Sequence, residues 1–140
     1  MLNNFIVFKT GKPKINDSEY EVVERKGIGH PDNLCDAVAE KISVAYSKYC
    51  LEKYGFILRH MVDKVAILGG SSKVSFGHGE MTSPIRLLLN GRFTYRFKDE
   101  EIDYLDIVNK VVKDHFENIF PLLDTDMSIP KFSIPATGVV

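Results

Sequence analysis

No stretch of this sequence is long and apolar enough to span a bilayer, and its opening run, MLNNFIVFKTGKPK, is too short and too polar for a secretory leader. Excess charge is missing too. The 18 Lys and Arg are matched by 19 Asp and Glu, a formal net charge of −1, which removes any general attraction to nucleic acid or acidic membranes. An anionic ligand would have to be held by a local site. Cysteine is scarce: Cys35 and Cys50 are the only two, without CxxC spacing. Both fall on one expected helix, about 22 Å apart at a rise of 1.5 Å per residue, beyond the reach of a disulfide. Two reduced, packed thiols in a cytoplasmic protein are the expectation. The four histidines lack zinc-ligand spacing, and there is no internal repeat, linker or low-complexity stretch.

What is present suits a single domain over residues 1–140. Apolar residues make up 44% of the chain, with six Tyr and nine Phe, enough for a sizeable core. Strands are expected at 4–8 and 20–25, separated by a turn at Gly11-Lys12-Pro13-Lys14. Gly27 and Gly29 end the second strand, Pro31 suits a first helical turn, and Asp32 or Asn33 can cap it. Leu34, Val38, Ile42, Ala45, Tyr46 and Tyr49 then recur at helical spacing as far as about Lys53, with Gly55 as the stop. A strand at 62–68 closes on Gly69-Gly70, and 73–76 is a candidate partner strand. Asn90-Gly91 between the apolar-rich runs 85–89 and 92–97 predicts a type I′ hairpin, with Phe93, Tyr95 and Phe97 alternating against Arg92, Thr94 and Arg96. Asp103 caps a second amphipathic helix carrying Leu105, Val108, Val111, Val112, Phe116 and Ile119, which Pro121 ends. A last short strand is expected at 131–134. This order predicts an α+β fold, a mixed β-sheet with two helices packed on one face.

The densest chemistry lies between Glu24 and Asp36. Glycines at 27 and 29 let backbone amides approach a ligand closely. A helix beginning at Pro31 offers unpaired N–H groups and a positive dipole end, which attract phosphate. His30 stands at the mouth and can donate to a phosphate or leaving oxygen, and Lys26 can add positive charge. Asp32 would repel phosphate unless a cation lay between them. A hard divalent ion such as Mg2+ fits, since it takes one or two carboxylates with phosphate oxygens and water. Asp36 lies one helical turn on, where it can orient the ion's water shell, and Glu40 one turn further. The bland alternative is an acidic helix start stabilised by the dipole and followed by a solvated face.

Glu24-Arg25-Lys26-Gly27-Ile28-Gly29-His30-Pro31-Asp32, followed by Leu34-Cys35-Asp36 and Ala39-Glu40, closely resembles the opening signature of the archaeal-type S-adenosylmethionine synthetases, or methionine adenosyltransferases. The likeness continues through Tyr54-Gly55, Ile57-Leu58, His60, Asp63, Val65, Gly69-Gly70, Phe76-Gly77, Gly79, Pro84-Ile85 and Gly91-Arg92, and so covers residues 20–97. The resemblance implies one unit, the N-terminal one, of a three-unit fold. It implies a transferase that joins ATP and L-methionine: the methionine sulfur attacks the ribose C5′ and expels tripolyphosphate, which is cleaved to pyrophosphate and phosphate. Mg2+ is implied as cofactor, with K+ as a helper. By the same resemblance His30 is the catalytic contact to the leaving phosphate end, Asp32 holds Mg2+, and Glu24 lies on the nucleotide or cation side. Lys26, Gly29 and Asp63 complete the substrate and ATP contacts.

Other segments are weighed against this. Gly69-Gly70-Ser71-Ser72-Lys73 lacks Walker spacing and reads better as a strand-connecting turn, with a minor substrate role left open. His60 and Asp63, three apart, cannot share a strand face. His78 reads as a loop residue and His115 as structural. Asn33 stands where the family commonly has serine, and Lys64 where glutamine is usual, so that Lys64 can neutralise Asp63. The family's members are far longer, and the cationic clamp on the triphosphate lies in parts not represented here. Three readings remain: a partial chain of a full enzyme, a short subunit completed by a homo-oligomer or second polypeptide, or a non-catalytic, regulatory nucleotide-binding module. Little activity alone and a tendency to associate are expected.

Overall fold

The computed structural model describes residues 6–9, 11 and 14–123. After a single 3-10 turn at Ile15–Asp17 come helix α1 (Pro31–Tyr54), strands β1 (His60–Leu68), β2 (Ser71–Ser75), β3 (His78–Ser83), β4 (Arg86–Phe93), β5 (Arg96–Phe97) and β6 (Glu100–Glu101), and helix α2 (Tyr104–Ile119). The α+β class expected from the element order is what the structure shows. Strands pair antiparallel, β1 with β4, β2 with β3 and β5 with β6.

The two longer pairs form one bent ribbon. Leu68 pairs with Arg86 and Ser71 with Ser83, so Gly69-Gly70 connects β1 to β2 without reversing the chain. A Cβ on Gly70 would sit 2.3 Å from the Ser83 carbonyl oxygen, which explains a glycine at this bend. The partner strand expected at 73–76 is displaced: β2 pairs with β3 across a tip where Gly77 takes φ +73°. Its free conformation lets the chain turn back immediately.

The expected hairpin at Asn90-Gly91 is not formed. β4 runs straight through both residues and pairs with β1. Neither adopts a positive φ. The turn chemistry is overridden by register. Asp63 is an extra residue between Val62, which faces Gly91, and Lys64, which faces Asn90. This bulge changes the parity of β1: His60 and Val62 face inward before it, Val65 and Ile67 after it. Strict alternation would have driven Lys64 and Ala66 toward the core and left Val65 and Ile67 in water. Gly91 is buried opposite the bulge, where a Cβ would lie 2.6 Å from the Met61 carbonyl oxygen.

Leu34, Val38, Ile42, Tyr46 and Cys50 make the buried stripe of α1, and Val108, Val112 and Phe116 that of α2. They meet Leu87, Leu89 and Phe93 of β4 in one core. Each such burial is worth about 1.5–3 kcal/mol. Leu105, expected on this face, is 43% exposed. Tyr46 donates from its hydroxyl to the Thr94 carbonyl at 2.6 Å, tying α1 to the end of β4. Cys35 and Cys50 are buried free thiols.

Residues 20–25, expected as a strand, are extended but unladdered, with Tyr20, Val22 and Val23 exposed. Alternation permits an extended backbone, but a strand also needs a neighbouring edge, and no described strand lies beside it. Residues 6–8 are likewise outside any strand, while positions 4–5, Lys12, Pro13 and the strand expected at 131–134 lie outside the described residues. Among the described residues no helix is long and apolar enough to cross a membrane.

Candidate functional site

The turn before α1 is built by short-range bonds. The His30 N–H donates to the Gly27 carbonyl at 3.0 Å, closing the turn, and the Leu34 N–H returns to the His30 carbonyl at 2.9 Å, opening the helix. The cap expected at Asp32 or Asn33 is instead His30, in extended backbone (φ −64°, ψ 137°), whose ring Nδ1 accepts from the Asp32 N–H at 3.1 Å. A backbone N–H can only donate, so Nδ1 carries a lone pair and the neutral ring holds its proton on Nε2. His30 therefore presents an Nε2–H donor while holding the helix start.

Asn33 has a different task from capping. Its side-chain amide donates to the Gly27 carbonyl at 2.8 Å and the Lys26 carbonyl at 3.3 Å, binding the loop to the helix. Lys26 reaches back to pair with the Asp32 carboxylate. That hydrogen bond, and then the ammonium's charge, hold the Asp32 carboxyl below the usual carboxylate range. His30 Nδ1 lies 3.9 Å from the same carboxylate. The amide supply is smaller than a bare helix start suggests. Pro31 has no N–H, and those of Asp32 and Leu34 are used; the amides of Ile28, Gly29 and Asn33 have no acceptor among the described residues. Gly29 has a tertiary reason as well: a Cβ there would lie 3.3 Å from the Phe120 ring, just past α2.

The remaining candidates are dispersed. Asp36 and Glu40 continue along the exposed side of α1. Glu24 is exposed on the extended approach to the turn. Asp63 is held at the β1 bulge, where it accepts from the Asn90 side-chain amide at 3.1 Å; no ion pair joins it to Lys64 among the described residues. Among the described residues no three His, Cys, Asp or Glu side chains converge as a metal cage. His60 points inward: its Nδ1 donates to the Leu58 carbonyl at 3.0 Å, its Nε2 faces Ser43 Oγ at 2.9 Å, and its ring packs on Tyr46. His115 is 5% exposed, with Nδ1 2.7 Å from Lys41 Nζ. Burial, then the Lys41 charge, lower its pKa.

A feature the sequence did not reveal is an apolar cavity of about 840 Å³ between β3 and the end of α2, lined by Met81, Pro84, Ile85, Ile119, Phe120 and Leu123 among others. Phe120 is shared between its wall and Gly29. No sequence spacing could have announced a contact between residues so far apart.

Residues 3–134 match the profile of S-adenosylmethionine synthetase (AdoMet synthetase). The chain is 39% identical to the S-adenosylmethionine synthase of Aeropyrum pernix over 149 aligned positions, covering 99% of this chain and 37% of that protein. It is 44% identical to that of Thermoplasma volcanium over 111 positions (79% and 28%), and 37% identical to that of Methanocaldococcus jannaschii over 134 (91% and 33%). The chain thus spans 28% to 37% of the length of these relatives.

Proposed function

This chain belongs to the S-adenosylmethionine synthetase family, and from that premise we propose that the turn at residues 24–36 is one side of a site that joins ATP to L-methionine. The methionine sulfur forms a bond to the ribose C5′ as the bond from C5′ to the triphosphate oxygen breaks. Charge then gathers on a departing polyanion. Donors and cations placed at the departing oxygens lower that barrier. His30 supplies the donor through Nε2–H. Lys26 and the amides of Ile28 and Gly29 supply positive potential along the chain of phosphates. Glu24 lies on the nucleotide side, and Asp63, fixed by Asn90, serves substrate from the ribbon.

The donor set suits Mg2+. Asp32 and Asp36 are hard oxygen ligands one helical turn apart, and without a third converging ligand they fit an ion that arrives with phosphate oxygens and water. Mg2+, once bound, neutralises charge on the departing oxygens; K+ is a second cation for the same polyanion. The rest of the cationic clamp comes from further chain, a second copy or a second subunit in a cytoplasmic assembly.

The observation that carries this reading is the His30 cap: the bond from Asp32 N–H to Nδ1 leaves the ring's proton on Nε2, while Nδ1 lies 3.9 Å from the carboxylate that would hold the metal. The test is His30→Asn in an assembly that makes S-adenosylmethionine from ATP, L-methionine, Mg2+ and K+. Asn is itself a good cap, so the helix should survive, while kcat falls about 100-fold or more with the loss of a positioned donor. Full turnover in that variant would remove His30 from the leaving-group contact. A second reading, a nucleotide-binding regulatory module, draws on the short span of the chain relative to its relatives. Mg-ATP binding without turnover, even in the completed assembly, would favour it.

A further inference from the structure

We propose that Lys26 is a latch on Asp32, held in place by Asn33, and that it opens only when a cation enters together with a polyphosphate. The inference rests on the reading of the turn given above. Three contacts motivate it. The Lys26 ammonium occupies the Asp32 carboxylate, the oxygen donor that a cation would need. The Asn33 amide grips the Lys26 and Gly27 carbonyls, so the loop carrying the ammonium is tied to the helix carrying the carboxylate. The pair itself is open to solvent, with the two side chains 55% and 60% exposed, so a ligand can reach both partners.

An exposed ion pair is ordinarily weak, because holding two mobile side chains together costs entropy. Asn33 lowers that cost by fixing the backbone on which Lys26 is mounted. A bare cation must displace the ammonium from Asp32 and leave it facing another positive charge. A cation carrying polyphosphate brings oxygens to which the ammonium can transfer. The carboxylate loses one partner and gains another, and so does the lysine. The latch therefore discriminates against free Mg2+ in favour of Mg2+–polyphosphate, and couples the two halves of the ligand through one side chain. Asn33, where serine would have a shorter reach, makes the clamp to both carbonyls.

The probes are Mg2+ alone and Mg2+–tripolyphosphate, titrated into the 140-residue chain by calorimetry, with the Asp32 and Asn33 amide resonances as an independent readout. Lys26→Met should bind Mg2+ alone about two- to fivefold more tightly, the worth of an exposed pair. It should bind Mg2+–tripolyphosphate about three- to tenfold more weakly, for want of a charged donor to phosphate. Lys26→Arg should stay close to the parent in both. Asn33→Ala should shift Mg2+ affinity in the direction of Lys26→Met, by less. Opposite signs for the two ligands are the signature. Affinities in Lys26→Met that stay unchanged, or move in the same direction, overturn the latch while leaving the polyphosphate reading intact. If the parent chain binds Mg2+–tripolyphosphate in neither readout, the reading of the turn falls and the latch with it.

Discussion

Gly91→Ala is the sharpest test of how the ribbon is registered. The added Cβ would lie 2.6 Å from the Met61 carbonyl oxygen and 3.3 Å from the Val62 Cα, both backbone atoms that no rotamer change can move. Relief requires β1 and β4 to part beside the Asp63 bulge. Overpacking of this kind costs about 1–3 kcal/mol. Stiffening the unfolded chain by removing a glycine returns about 0.4–1 kcal/mol, so a net loss of about 1–2 kcal/mol is expected. In a chain of this size that is a fall in Tm of about 3–10 °C. Urea unfolding followed by circular dichroism should show a lower midpoint with an unchanged slope. Asn90→Val supplies the contrast. Asn90 faces outward on β4, where a β-branched residue is welcome, so the loss should be limited to its exposed hydrogen bond with Asp63, about 0.5–1 kcal/mol. A type I′ turn would reverse the order, since valine cannot easily take the positive φ required there. A neutral Gly91→Ala beside a strongly destabilised Asn90→Val would refute the pairing of β1 with β4 in this register.

Tyr46→Phe should cost about 1–3 kcal/mol in the same unfolding assay, because it removes the hydroxyl that satisfies the Thr94 carbonyl inside the core and leaves the ring packing in place; a loss below about 0.3 kcal/mol would mean that water reaches that carbonyl. His115 should make stability depend on pH. Its folded-state pKa lies below the ordinary value of 6.5, so the unfolded chain takes up a proton that the native state resists. Stability is then full above that value and declines as pH falls from it toward the folded-state pKa. Thermal melts between pH 8 and pH 5 should flatten in His115→Gln, and an unchanged slope in that variant would exclude His115 as the titrating group.

The helices were legible because their signals are local. The 3.6-residue recurrence of Leu34, Val38, Ile42 and Tyr46, with Gly55 at φ +81°, placed α1 almost to the residue, and Asp103 capped α2 by accepting the Asp106 N–H at 3.0 Å. The strands were harder. Asn90-Gly91 carries a strong turn preference, yet two residues of turn energy are small against the burial of Leu87, Leu89 and Phe93 on one face of β4. Residues 20–25 have strand composition and no strand, because pairing is supplied by a neighbour and not by the segment itself.

The order of residues from Glu24 to Asp36 was enough to locate the candidate site and the expectation of a cation with phosphate, since that chemistry depends on which groups lie close to a helix start; the family became legible only with the ordered matches that continue through residue 97. Folding decided their assignments. It made His30 the cap and so put its proton on Nε2, turned Asn33 from a cap into a clamp, gave Asp32 to Lys26, and set Phe120 against Gly29. It also placed Asp63 on a bulge of the ribbon. Composition and spacing carry the identity of donors and acceptors, but which donor meets which acceptor depends on backbone direction and on contacts between segments far apart in the chain, and only the packed structure supplies those.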